Sequence, residues 1–248
     1  MNCKNCGELI DGNFCAHCGQ STSVDTINFK NVISELSGSI FHLNKGLFFT
    51  IKALFLRPGH TIREYVGGKR KNHFKPITYA FTLSTLYFLL SQFFESSTFI
   101  GEALEGFANG WNDSGKAGNP LVVLSWFVEH YAYTILLLLP LFSLASYLAF
   151  LKTGYNYLEH VVLNAYITGQ QAIFYSLAVV LSVCTGSADF GENTAVCLSV
   201  AYAFIVFWQF FSEQGRVAVV FRSILAYVLF WVMLALATLM IIILTSMM

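Results

Sequence analysis

The chain has 248 residues, of which 56% are hydrophobic and 11% charged, with a mean hydropathy of +0.60. A soluble domain carries about 25% charged residues, so this composition excludes an ordinary water-soluble enzyme or binding module as the whole of the protein. The formal net charge is zero but unevenly spread: residues 1–76 carry ten Lys/Arg against five Asp/Glu, and residues 77–248 carry four against nine.

Residues 1–20 hold the sharpest chemical signal, Cys3-x-x-Cys6 and Cys15-x-x-Cys18. A Cys-x-x-Cys turn sets two thiolates on one side of a tight knuckle, and two facing knuckles complete a tetrahedral zinc site. Gly7 and Gly19 follow the second cysteine of each pair, where a positive φ lets backbone N–H groups turn toward sulfur. So short a segment has no core of its own, and metal binding must supply its folding free energy. The spacing therefore predicts a structural zinc ribbon. A redox dithiol, two disulfides or an iron site would use the same residues. His17 is read as a neighbour of the metal, not a ligand. The start of the chain lacks the basic-then-apolar order of a secretory signal, which places the thiols in a reducing cytoplasm.

Residues 21–28 read as a polar linker. Phe29, Val32, Ile33, Leu36 and Ile40 then recur at helical spacing, and Leu47 to Leu56 forms an apolar run too short to span a bilayer. Two placements stand for these segments: interfacial helices on the inner leaflet, or helices packed on the bundle. Arg57-Pro58-Gly59 ends the run, Thr61-x-x-Glu64 reads as a capping box, and Gly67-Gly68 stops the short helix it would start. Arg57, Lys69, Arg70, Lys71 and Lys75 crowd this junction, with Pro76 at the first position of the next helix. Cations beside a span stay cytoplasmic and attract anionic headgroups. A basic segment can also bind nucleic acid, but abutting a span it is better explained by topology and lipid contact.

Membrane spans are expected near 77–94, 125–150, 161–183, 195–212 and 220–245, the second either kinked at Pro140 or entered only after Glu129-His130. The connections alternate as the positive-inside rule requires: 95–120 and 184–194 are acidic, while 151–160 and 213–222 carry Lys152, Arg216 and Arg222. Five spans leave the N-terminus cytoplasmic and the C-terminus outside. Cys184 and Cys197 bracket the connection expected at 184–194, where they either pair or remain buried thiols.

On the third span, His160, Asn164, Thr168 and Gln171 fall on one face, with Glu159 beside them and Tyr175 extending the stripe. Hydrocarbon offers no hydrogen-bond partners, so the stripe must face helices or water. It reads either as interhelical bonding or as a polar path with Glu159 or His160 responsive to protons or cations. Glu129-His130 is a second such pair, on the opposite side of the expected topology. Catalytic signatures of the P-loop, nucleophile-elbow, zincin and dinucleotide-binding types are absent from the chain.

The cysteine knuckles, the Arg57-Pro58-Gly59 … Gly68-Lys69-Arg70 … Pro76 junction and Tyr157-Leu158-Glu159-His160 together resemble a bacterial membrane-protein family of unknown function. The resemblance implies an N-terminal zinc ribbon joined through the junction to a multi-span domain, and it implies no activity. By topology alone the chain is also similar to five-span Yip1-like membrane proteins. The expectation is an all-α polytopic membrane protein of about five transmembrane helices. Its parts are a ribbon over 1–20, a linker over 21–28, interfacial helices and a basic junction over 29–76, and a bundle over 77–248. In the bacterial inner membrane it would be a scaffold or regulator whose Zn2+ ribbon docks a protein partner or its own oligomer, with a membrane enzyme the least favoured reading. The alternative is a channel, transporter or membrane-permeabilising effector, for example in phage defence, that uses the stripe.

Overall fold

The computed structural model describes residues 1–22, 24, 27, 45–113 and 120–246. Its regular structure is helical: α1 (Lys45–Leu56), α2 (Pro58–Val66), α3 (Pro76–Phe93), α4 (Phe99–Asp113), α5 (Pro120–Glu129), α6 (Tyr131–Ala149), α7 (Tyr157–Thr185), α8 (Ala188–Phe210) and α9 (Arg216–Ser246). Among the described residues, β pairing is confined to two isolated bridges in the N-terminal segment, Asn2 with Leu9 and Phe14 with Ser21. The amphipathic segment expected over 29–40 lies outside the described residues.

Among the described residues, four helices (α6 to α9) are long and apolar enough to cross a membrane. The first expected span forms as the 18-residue helix α3 but is not in that class. The residues that make it more polar, among them Thr78, Ser84 and Ser91, are buried inside the bundle. At 1.5 Å per residue, the 29 residues of α7 span about 43 Å, beyond the ~30 Å hydrocarbon core.

The hub is α7. It packs against α3, α6 and α8 and also touches α1 and α2, while α9 packs mainly on α6. The buried faces carry large aromatics, with Tyr79, Tyr166, Phe150, Phe207, Phe210 and Phe211 almost wholly inaccessible. Outward faces are apolar too, as a lipid-facing surface requires: Val217, Phe221, Val228 and Leu236 of α9 are all exposed.

One end of the bundle gathers the N-terminal segment, α1, α2, the starts of α3, α7 and α9, and the ends of α6 and α8. Phe150 stacks on Phe211 at 3.9 Å, Tyr155 meets Phe210 at 4.5 Å, and Tyr166 donates to the Phe74 carbonyl at 2.7 Å. Among the described residues, every Lys and Arg lies at this end, and Glu95, Glu102, Glu105, Glu129 and Glu192 lie at the other.

Several boundaries differ from the expectation. The 125–150 stretch breaks at His130, so the second span begins at Tyr131 with Pro140 inside the helix. The connection expected over 184–194 is only Gly186-Ser187, since α8 begins at Ala188. It can be so short because Gly191 approaches α7: a Cβ there would stand 2.7 Å from the Ala178 carbonyl oxygen. The acidic connection over 95–120 contains α4. The Thr61-x-x-Glu64 capping box does not form. Pro58 starts α2 a turn earlier, and the Thr61 hydroxyl donates back to the Ala53 carbonyl at 3.2 Å.

Candidate metal centre and the platform beneath it

The two knuckles form a repeat of twelve residues. Cys3 N–H donates to the Glu8 carbonyl and Gly7 N–H to that of Cys3; Cys15 N–H donates to Gln20 and Gly19 N–H to Cys15. Gly7 and Gly19 hold φ of +84° and +69°, the left-handed turn expected after each pair. This brings all four sulfurs within 4.8 Å of one another, with Cys3 Sγ to Cys18 Sγ at 3.6 Å and Cys6 Sγ to Cys15 Sγ at 3.5 Å. A tetrahedron with Zn–S spokes of about 2.3 Å has edges of about 3.8 Å, so the spacing fits a four-coordinate ion, and the cluster can hold a metal. His17 is exposed and outside it.

The electrostatics agree. The N–H of Cys6, against burial and with help from that of Asn5, draws the Cys3 thiol down to about 6. The N–H of Cys18 and then that of His17 lower Cys15 in the same way. Against the pull of the Glu8 N–H, burial and hydrogen bonds shared with Cys15, Cys18 and Cys3 push Cys6 up to about 12. Four thiols this close cannot all ionise without a cation among them.

The second knuckle stands on the junction. Gln20 is buried and donates through Nε2 to the Gly68 carbonyl at 2.9 Å; its Oε1 accepts from the N–H groups of Arg70 at 3.0 Å and Lys71 at 3.1 Å. Gly68 holds φ +112°, a conformation that side-chain-bearing residues rarely adopt, and a Cβ there would lie 2.7 Å from Lys4 Cδ, so the lysine would have to shift. Lys4 Nζ donates to the Val24 carbonyl at 2.7 Å. The cysteine-bearing segment exposes Leu9 at 81% and Phe14 at 67%, large apolar side chains for so small a unit.

The junction in turn is anchored on α8. Gly59 donates to Gln209 Oε1 at 3.1 Å, and a Cβ at Gly59 would lie 2.4–2.6 Å from Gln209 Cβ, Phe210 N and the Val206 carbonyl oxygen. Arg63 caps the end of α8, donating to the Gln209 carbonyl at 2.6 Å and to Ser212 Oγ at 2.5 Å, which also places a cation at the negative end of the helix dipole. Of the five junction cations named from sequence, Arg57, Lys69, Lys71 and Lys75 are exposed, Lys69 pairing with Glu64 at 3.3 Å. Arg70 is half-buried, donating to the Tyr65 carbonyl at 3.2 Å with its guanidinium 5.5 Å from the Tyr65 ring centroid. The short helix α1 packs on the bundle, one of the two placements expected for it, and leaves its other face open. Leu47, Thr50 and Leu54 face the protein, while Phe48, Phe49, Phe55 and Leu56 are exposed.

The stripe on α7 divides in two. His160 and Asn164 are fully buried against α6, where Asn164 Nδ2 donates to Ser146 Oγ at 2.7 Å and His160 Nδ1 lies 3.0 Å from the same oxygen. Ser146 Oγ also lies 3.1 Å from the Ser143 carbonyl oxygen, so the hydroxyl sits at the centre of a small buried polar cluster. His160 Nε2 and Asn164 Oδ1 are buried without a hydrogen-bond partner. Further along, Gln171 Nε2 donates to the Ser199 carbonyl of α8 at 3.1 Å, and Thr168 and Gln171 line a cavity. Glu159 caps α7: Asn156 Oδ1 accepts from the Glu159 N–H at 2.9 Å and Glu159 Oε2 from the Asn156 N–H at 2.8 Å, a capping box readable as Asn-x-x-Glu. Gln170 is outside the expected stripe yet buried, accepting from the Tyr79 hydroxyl at 2.6 Å. Cys184 and Cys197 are free and exposed. Glu129-His130 stands at the opposite end of α6 from Ser146, so the two Glu-His pairs do not meet.

Residues 44–88 match the family described as Protein of unknown function (DUF3667). The match covers α1, α2, the junction and most of α3, the platform on which the cysteine-bearing segment stands. No curated protein and no solved structure matches the chain.

Proposed function

We propose that this protein is a membrane scaffold or regulator in which a zinc-bound ribbon is clamped to the junction and presents its outer face to a partner or to a second copy. The observation that carries the reading is Gln20. Its three hydrogen bonds to junction backbone couple the folding of the ribbon to the shape of the loop entering α3. Zinc is the ion that best suits four thiolates at this spacing. It would be held by Cys3, Cys6, Cys15 and Cys18, and with all four positions taken by sulfur it would fold the segment and leave no site for substrate.

The positive-inside rule puts the junction end in the cytoplasm, with Arg57, Lys69, Lys71 and Lys75 available to anionic headgroups. The exposed Leu9 and Phe14 are the contact points for the partner. A pore along the α7 stripe is less well supported, because Asn164 and His160 are engaged with Ser146 and Gln171 with α8.

A photo-crosslinking amino acid at position 14, in otherwise intact protein in native membranes, tests the docking role. The expected result is a discrete adduct, either a self-dimer or a second protein, that disappears on chelation of zinc and in Cys15→Ser. An adduct indifferent to both changes, or no adduct at all, would refute it.

A further inference from the structure

Between α3, α4, α6, α7, α8 and α9 lies a cavity of about 470 Å³, within the roughly 300–1,000 Å³ usual for small-molecule sites. It opens because α9 leans on α6 and touches α8 only lightly. Phe142 and Trp231 contribute apolar surface to its lining, and Ser84, Thr168 and Gln171 polar groups. Among the described residues, no Asp, Glu, Lys, Arg or His lines it. A charged group entering it would leave water with nothing to pair with, so the chemistry of the lining selects an uncharged guest.

Ser84 supplies the polar clue. It is 1% exposed, it lines the cavity, and its Oγ has no hydrogen-bond partner. Ser143, Ser176 and Ser223, in contrast, each donate one turn back, to the carbonyls of Leu139, Ala172 and Val219, while Ser199, the other buried serine of this lining, shares with Ser84 an Oγ without such a bond. A hydroxyl kept free of its own helix in an apolar site is a donor waiting for an acceptor.

We propose that this cavity binds an uncharged membrane amphiphile. Its carbonyl or ester oxygen accepts from the Ser84 hydroxyl, and its hydrocarbon lies against Phe142 and Trp231. A neutral glycerolipid and an isoprenoid quinone both present this chemistry. The site is independent of the ribbon and of its metal.

The test uses the full-length protein in nanodiscs with three photoactivatable probes: a diacylglycerol, an isoprenoid-quinone analogue and an anionic phosphatidylglycerol. Saturable labelling of cavity residues by one neutral probe is expected, and the probe that saturates identifies the source. Ser84→Ala should raise its half-saturation about tenfold. Val200→Trp, at a partly exposed lining position that tolerates bulk, should block it while thermal melting and labelling of the outward Val228 and Leu236 are unchanged. Equal labelling by the anionic probe, non-saturable labelling confined to the outer face, or indifference to both substitutions would overturn the assignment.

Discussion

Replacing Gln20 with alanine removes one donor and two acceptor contacts between the ribbon and the junction in a single step. At about 0.5–1.5 kcal/mol net for each neutral hydrogen bond, the three sum to about 3 kcal/mol. At about 1.4 kcal/mol per decade this is about a hundredfold in the docking equilibrium. Because the knuckle bonds and the four cysteines are untouched, zinc content should be unchanged. The readout is amide hydrogen exchange at Arg70 and Lys71, whose N–H groups are held by Gln20 Oε1. Both should exchange about a hundredfold faster in the alanine variant, while amides at the centre of α7 keep their rates. Gln20→Glu is the sharper comparison. Its carboxylate still accepts from both amides but turns an oxygen, not a donor, toward the Gly68 carbonyl, and it should fall between the two. Rates unchanged within threefold in Gln20→Ala would mean that the ribbon is not clamped here, and the coupling argument would fail.

Cys15→Ser should abolish metal binding and unfold the ribbon while the protein remains in the membrane fraction, as metal analysis and carbonate extraction would report. Gly59→Ala places a methyl against α8 backbone that cannot step aside, and overpacking of this kind costs about 1–3 kcal/mol; a lower melting temperature in detergent is the check. His73 contributes a pH dependence. Burial lowers its pKa below 6.5, against a weaker opposing influence of Glu64, and its ring sits edge-on to Phe49 and Tyr65. The unfolded junction then binds more protons than the folded one between the lowered pKa and about 6.5, so stability is full above that window and lost as the pH falls through it. Melting at stepped pH should show the loss in wild type and a shallower loss in His73→Phe.

How far the sequence spoke depended on the range of the interaction. The cysteine knuckles announce themselves because their geometry is local: two Cys-x-x-Cys spacings, each followed by a glycine, define the turns, and the structure brings the sulfurs together. Four of the five expected spans were legible from hydropathy, though the second begins at Tyr131 and the fourth helix already at Ala188. Pro76 marks a helix start as proline at the first position should, whereas Pro58, read as the end of a run, in fact opens α2. Gln20 and Arg63 were not legible, since their partners lie about fifty and a hundred and fifty positions away. The α7 stripe was visible as periodicity, but periodicity cannot separate His160 and Asn164, tied to Ser146, from Thr168 and Gln171 at the cavity. Two local signals were there to be read. Asn156-x-x-Glu159 is a capping box, and the acidic start of α8 suits a helix N-terminus.

The most direct test of the account is to withdraw zinc from the purified full-length protein by graded chelation while following exchange at the Arg70 and Lys71 amides. If the metal holds the ribbon and the ribbon holds the junction, protection should fall in proportion to zinc lost, ending when one ion per chain has gone. Protection that survives complete removal of the metal would contradict it, leaving the cysteine cluster and the junction as unconnected features of one chain.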